Sequence, residues 1–110
     1  MERPLKGDVV LIDFPYSDYS GSKRRPALVV AELTGDDVIL AQITSAKRFD
    51  QYAVAIQMTD FRKGRLPIPS NARPNKLMTT DHKRILGTLG HLKPEKIKEI
   101  ETKIVEIFST

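Results

Sequence analysis

The stretch PALVVAELTGDDVILAQI, residues 26–43, decides the fold class. Its two apolar runs, 26–31 and 38–43, are rich in β-branched residues, and the turn formers Thr34, Gly35, Asp36 and Asp37 stand between them, so the spacing predicts a tight antiparallel hairpin. Working outward, DVVLIDF at 8–14 is another β-branched run, closed by Pro15 and a polar loop through Ser22. Downstream, AVAIQM at 53–58 alternates weakly and reads as a fourth strand. Pro67, Pro69 and Pro74 then exclude helix, and two short strands are expected around 76–79 and 85–89. Only the C-terminus has helical period. Pro94 suits the first helical position, and Ile97, Ile100, Ile104 and Ile107 recur at spacings of three, four and three. That face is expected to pack on the sheet, with Leu92 stapled against Ile97. The prediction is a mainly β domain with a C-terminal α-helix, built on a strongly bent antiparallel sheet of five or six strands, which suits an SH3-like barrel.

Length and composition bound the rest. A chain of 110 residues is expected to form a single domain over 1–110, and 40% hydrophobic residues supply its core. No apolar run approaches the roughly 18 residues of a membrane helix, and the opening MERPLKGD lacks the apolar stretch of a signal peptide, so no membrane partner is expected. With no cysteine there is no disulfide, thiol nucleophile or thiolate metal site, which fits a cytoplasmic location.

The net charge of +4 is unevenly spread. Residues 1–46 carry five Lys/Arg against seven Asp/Glu, residues 47–84 nine against three, and residues 85–110 four against four. The basic middle segment, with Lys47, Arg48, Arg62, Lys63, Arg65, Arg73, Lys76, Lys83 and Arg84, is a candidate footprint for a polyanion, because phosphate neutralisation is the main sequence-independent source of nucleic-acid affinity. A plain solvated surface is the competing reading of such a run. Ser20, Gly21 and Ser22 followed by Lys23, Arg24 and Arg25 read as an anion-friendly loop.

Glycine-rich phosphate loops, G-x-S-x-G elbows, H-E-x-x-H and paired metal-ligand spacings are all absent from the sequence. His82 and His91 are expected in a loop and beside the helix start, as surface or capping residues more than as an acid–base pair.

The segments GDVVLIDFPY at 7–16, GSKRRPALVV at 21–30, AQITSA at 41–46, ARPNKLMTTD at 72–81 and GHLKPEKI at 90–97 resemble, in order and spacing, the MazF/PemK family of toxin endoribonucleases. The most specific signals are the arginine directly before Pro-Ala-Leu-Val-Val and the Ile-Thr-Ser that ends the next strand. The resemblance implies a homodimeric SH3-like barrel of the MazF/CcdB toxin type. It implies an enzyme that cuts single-stranded RNA, including mRNA, with no metal or other cofactor, and that an acidic cognate antitoxin silences.

Carried over residue by residue, the resemblance gives Arg25 and Thr44 as catalytic. Arg25 would offset charge on the phosphorane, with proton donation as its alternative role, and the Thr44 hydroxyl would hold a phosphate oxygen or orient the ribose 2′-hydroxyl. Substrate contacts are expected from Lys23, Arg24, Ser45, Lys47, Arg48, Arg73 and Asn75. Asn75 falls where family members often carry an acidic residue, and a neutral amide cannot act as a general base, which leaves Asp13 and Asp18 as alternatives. Two other readings compete: a non-catalytic RNA-binding relative, and a CcdB-like inhibitor of DNA gyrase, a class whose C-terminal tryptophan this chain lacks.

Overall fold

The structure, a computed structural model, describes residues 3–15, 21–47 and 50–110. Seven strands run in chain order: β1 (Asp8–Pro15), β2 (Ser22–Glu32), β3 (Asp37–Thr44), β4 (Val54–Ile56), β5 (Phe61–Gly64), β6 (Ser70–Asp81) and β7 (Ile85–Leu92). The helix α1 (Pro94–Phe108) follows. All neighbours are antiparallel, in the sheet order β4-β6-β3-β2-β1-β7-β5.

The expected hairpin is β2–β3. Its turn places Gly35 at φ +91°, a left-handed conformation that glycine adopts without steric cost. The Arg3 guanidinium donates to the carbonyls of Leu33 (2.8 Å) and Gly35 at the same turn.

Register shifts interrupt the ladders between β1 and β7, β2 and β3, β3 and β6, and β5 and β7. Each irregularity bends its strand and adds twist, so the sheet curls into a half-barrel. The largest lies in β6. Ala41 pairs with Leu77 while Gln42 pairs with Arg73, which leaves Pro74, Asn75 and Lys76 without opposite numbers. Proline has no amide to give a ladder, and here it sits where the ladder is already broken.

Because the sheet curls, its central strands are buried on both faces. Val9, Leu28, Ile43, Val54, Ile56, Phe61, Ala72, Leu92 and Ile100 form one core, and Val10, Ile12, Ala27, Val29, Val38, Leu40 and Ile85 form another. Adjacent residues such as Val9 and Val10 thus serve opposite cores. Two-sided burial explains why these strands read as continuous apolar runs with little alternation.

On the helix, Ile100 is fully buried, and Ile97 and Ile104 pack against the first core. Pro94 opens the helix after the cap residue Lys93. Leu92, just before that cap, joins the same core as Ile97, the arrangement of a hydrophobic staple.

Several expectations need correction. Among the described residues there are seven strands, not five or six. Phe61–Gly64 is a strand that its charged sequence FRKG conceals, and Gly64 with Gly90 allows the close approach of β5 and β7. The short strand expected at 76–79 is the second half of a twelve-residue strand. Lys23, Arg24 and Arg25 are not a loop: they pair with Phe14, Asp13 and Ile12 of β1. His91 lies within β7 with its Nδ1 2.8 Å from Asp8 Oδ1, and His82 lies 3.8 Å from Asp36, so both are half-buried partners of carboxylates and not caps.

Candidate active site

Arg25, Thr44 and Arg73 reach one place because of strand register. Ala27 pairs with Gln42, and Gln42 with Arg73; one step along the face, Thr44 pairs with Asn71. Side chains two residues apart on a strand share a face, so Arg25 on β2 projects beside Thr44 on β3. Arg25, Gln42, Thr44, Asn71 and Arg73 line a cavity of about 220 Å³ that is completed by Ala46, Asp50 and Ala53. Between these residues Ile43 and Ala72 point the other way, into the core that holds Ile100. The floor of the cavity is therefore the outer face of a sheet backed by packed apolar side chains.

Local hydrogen bonds orient the polar groups. The Ala46 amide donates to Thr44 Oγ1 at 3.1 Å, which occupies an acceptor site and leaves the hydroxyl proton for another partner. Arg73 Nε donates to Asp50 Oδ2 at 3.0 Å. The other oxygen, Asp50 Oδ1, accepts from the Tyr52 amide at 2.9 Å, the pattern of an Asx turn. Both side chains of this ion pair are largely buried, Arg73 at 22% and Asp50 at 11% exposure. The Tyr52 amide holds the Asp50 carboxyl below the usual carboxylate range; burial opposes this, and the Arg73 guanidinium reinforces it. Asp50 is an anion at neutral pH, and the cavity holds two guanidiniums and one carboxylate, an excess of positive charge that suits a single phosphodiester.

A second cavity, of about 330 Å³, opens beside the first. Lys23, Arg24, Arg25 and Ser45 line its polar side, and Leu11, Ile43 and the 66–68 segment its apolar side. Arg25 borders both. Arg24 lies 3.8 Å from Asp13 in a solvent-exposed pair, which is worth little in stability and leaves the guanidinium accessible. The larger hollow of about 620 Å³, between residues 56–61 and 65–69, is apolar and contains neither Arg25 nor Thr44, so volume and chemistry do not coincide here.

Of the residues singled out in the sequence, Arg25, Thr44 and Arg73 meet in the first cavity, while Lys23, Arg24 and Ser45 lie in the second. Lys47 is exposed and lines neither. Asn75 is exposed on the β6 bulge, outside both. Arg48 and Asp18 lie outside the described residues. Asp13 faces Arg24 and not the first cavity, and neither histidine lines it. Among the described residues no group of three or more His, Asp or Glu is placed to hold a metal ion.

Sequence reasoning missed Asp50, Gln42 and Asn71. The turn signal at Asp50 was readable from an Asp two residues before an amide it can cap. Its partner Arg73, 23 positions away, was not.

The fold has close counterparts among solved structures. An endoribonuclease in complex with its cognate antitoxin, from a mycobacterial species, superposes with a TM-score of 0.76 at 21% identity, covering 96% of this chain and 95% of that one. A second mycobacterial endoribonuclease gives 0.75 at 20% identity, with 99% and 94% covered. A MazE–MazF structure from Deinococcus radiodurans gives 0.77 at 16% identity, with 100% and 99% covered. At such identities the likeness speaks for the fold alone. No curated protein matches the sequence. The family of PemK-like, MazF-like toxins of type II toxin–antitoxin systems matches residues 5–108. With nearly the whole chain matched and the half-barrel shared, this protein belongs to the PemK/MazF-like toxin family of type II toxin–antitoxin systems.

Proposed function

We propose that the chain is the toxin of such a pair and a metal-independent endoribonuclease, which cleaves single-stranded RNA by attack of a ribose 2′-hydroxyl on the adjacent phosphorus. The observation that carries this reading is the convergence of Arg25, Thr44 and Arg73 on one cavity in a chain of this family. In the reaction the 2′-oxygen forms a bond to phosphorus and gives up its proton to a base. The bond from phosphorus to the 5′-oxygen breaks, and that oxygen is protonated. The products are a 2′,3′-cyclic phosphate and a 5′-hydroxyl.

Negative charge grows on the non-bridging oxygens as the phosphorane forms, so fixed donors aimed there lower the barrier. Arg25 stays protonated at any physiological pH and offers two N–H groups in one plane. Thr44, one of whose lone pairs is taken by the Ala46 amide, can offer its O–H as a neutral donor. Arg73 binds the phosphate with the end of its guanidinium that Asp50 leaves free.

Replacing the ribose at a cleaved position by 2′-deoxyribose removes the nucleophile and should abolish the cut at that bond while cuts elsewhere persist; continued cleavage there would rule out 2′-hydroxyl attack. Thr44→Ala should slow cleavage by less than loss of Arg25 does, about tenfold, since a hydroxyl supplies a neutral hydrogen bond. A Thr44 variant slower than the Arg25 variant would reverse the two roles.

Lys23 and Arg24 extend the positive surface from the cleavage cavity into the second one. Binding of uncleavable RNA should weaken steeply with salt, with a log–log slope of roughly −0.7 per phosphate contacted. Lys23→Ala with Arg24→Ala should flatten that slope by about 1.4, and an unchanged slope would place the RNA track elsewhere.

The working unit in this reading is a two-fold homodimer acting in the cytoplasm. Its two basic surfaces form one track, and an acidic antitoxin segment occludes Arg25 by occupying that track. Sedimentation across the concentrations at which RNA is cut should give the dimer mass, and a single-chain mass throughout would contradict it. No helix among the described residues is long and apolar enough to cross a membrane.

A further inference from the structure

Arg73 reaches the cavity with one of its nitrogens already committed. Its Nε donates to Asp50 Oδ2 at 3.0 Å, and Asp50 is itself fixed by the Tyr52 amide at 2.9 Å on its other oxygen. The Ala53 amide, donating to the Asp50 carbonyl at 3.1 Å, closes the turn that carries the carboxylate. A guanidinium held at Nε by a fixed partner loses the rotation about its stem, and its two terminal nitrogens then point as a planar fork. Arg73 shares the cavity with Arg25, Thr44, Gln42 and Asn71, so the fork opens onto the place where the phosphate is expected.

From this geometry we infer that Asp50 is a positioning residue, which holds Arg73 by its Nε so that the free end of the guanidinium serves as a two-pronged clamp on the RNA phosphate. The inference rests on the reading of this cavity as the RNA-cleaving site and deepens it. Two features set the role apart from that of a general base. Both Asp50 oxygens already accept hydrogen bonds, and a carboxyl held below its usual range is a poor proton acceptor. Nor is Asp50 an attractive contact for RNA in its own right, since it brings negative charge to a site for an anion.

That last point gives the role a distinctive sign. By charge alone, Asp50→Asn should strengthen RNA binding, because the cavity becomes more positive. If Asp50 instead holds the clamp, the same substitution should weaken it.

The experiment uses the full chain and a single-stranded oligonucleotide with 2′-deoxyribose throughout, which binds but cannot be cut. Asp50→Asn should bind it several-fold more weakly and cut a matching RNA about tenfold more slowly or worse, the order expected when one charge-assisted hydrogen bond orienting a phosphate-binding group is lost. Asp50→Glu, which keeps the charge, should recover part of both. Arg73→Lys should show losses of similar size, and combining it with Asp50→Asn should add nothing further, because the two residues act as one unit.

A spectroscopic readout stands apart from activity. In nitrogen-15 spectra, one arginine Nε–H signal that Arg73→Lys removes should be slow to exchange in the parent and lose that protection in Asp50→Asn. Thermal unfolding of each variant shows that the comparison is made on folded protein, and Asp50→Glu carries the test if Asp50→Asn does not fold. Tighter oligonucleotide binding by Asp50→Asn, fully additive losses, or an unchanged Arg73 signal would overturn the clamp while leaving the nuclease reading intact. A parent chain that binds the oligonucleotide but cuts no RNA would overturn the nuclease reading, and the binding and spectroscopic arms would still decide the clamp.

Discussion

Arg25→Ala should fold and bind RNA but cut it at least about a hundredfold more slowly than the parent, the scale seen when one donor to a developing oxyanion is removed. The expectation follows from where Arg25 sits. It borders both cavities, and unlike Arg73 it shows no carboxylate partner among the described residues. In the proposed reaction its guanidinium, which stays protonated, would face the phosphate beside Thr44. Binding should survive because Lys23, Arg24 and Arg73 remain to neutralise phosphates, whereas the chemical step loses the cation next to Thr44. Arg25 is half-buried in the first half of β2, where Ala27, Leu28 and Val29 carry the packing, so thermal stability should change little. Single-turnover cleavage with saturating enzyme separates the two effects. Cleavage near the parental rate would remove Arg25 from the chemistry.

The largest stability effect is expected at the helix. Ile100→Ala should lower the unfolding free energy by about 2–5 kcal/mol, the range for deleting a buried branched side chain without full collapse of the cavity left behind. Ile100 is completely buried and packs in the core that contains Leu28, Ile43, Val54 and Ala72. Two of these alternate along their strands with site residues: Ile43 lies between Gln42 and Thr44, and Ala72 between Asn71 and Arg73. A void beneath them weakens the sheet that carries the site but removes none of its chemistry. Urea unfolding should show the loss as a lowered midpoint, while the cleavage rate per folded molecule stays within a few-fold of the parent. An undiminished midpoint would mean that α1 is not the lid on this core.

The parts of the fold that were legible in the sequence are those where local chemistry and tertiary environment agree. The β2–β3 hairpin has β-branched runs and a glycine in its turn, and α1 has a clean helical period with proline at its start. The first half of β6 and the whole of β5 were obscured because their residues serve a bulge or an exposed edge. Pro74 inside a strand contradicts the local rule until the three-residue bulge is known, and FRKG carries only Phe61 into the core. Lys23–Arg25 looked like a loop because a basic triplet buries nothing. It is a strand because β1 pairs with it along the rim of the cavities.

The same distinction holds at the site. Arg25, Thr44 and Arg73 were singled out through family resemblance, and strand register accounts for their meeting. Asp50 carried no such mark. Nothing near it in the sequence signals that the turn at 50–53 folds it onto β6, and Gln42 and Asn71 are ordinary strand residues until register sets them beside Thr44 and Arg73. Asn75, expected near the reacting atoms, stands instead on the bulge, outside the cavity that Asp50 helps to form.

The most direct measurement is incubation of the purified protein with a long single-stranded RNA in excess EDTA, followed by analysis of the fragment ends. Cleavage that EDTA does not suppress is expected, with 2′,3′-cyclic phosphate on one fragment and 5′-hydroxyl on the next, and its near-loss in Arg25→Ala prepared in parallel. RNA that is bound but left intact, or fragments carrying 5′-phosphate, would contradict it.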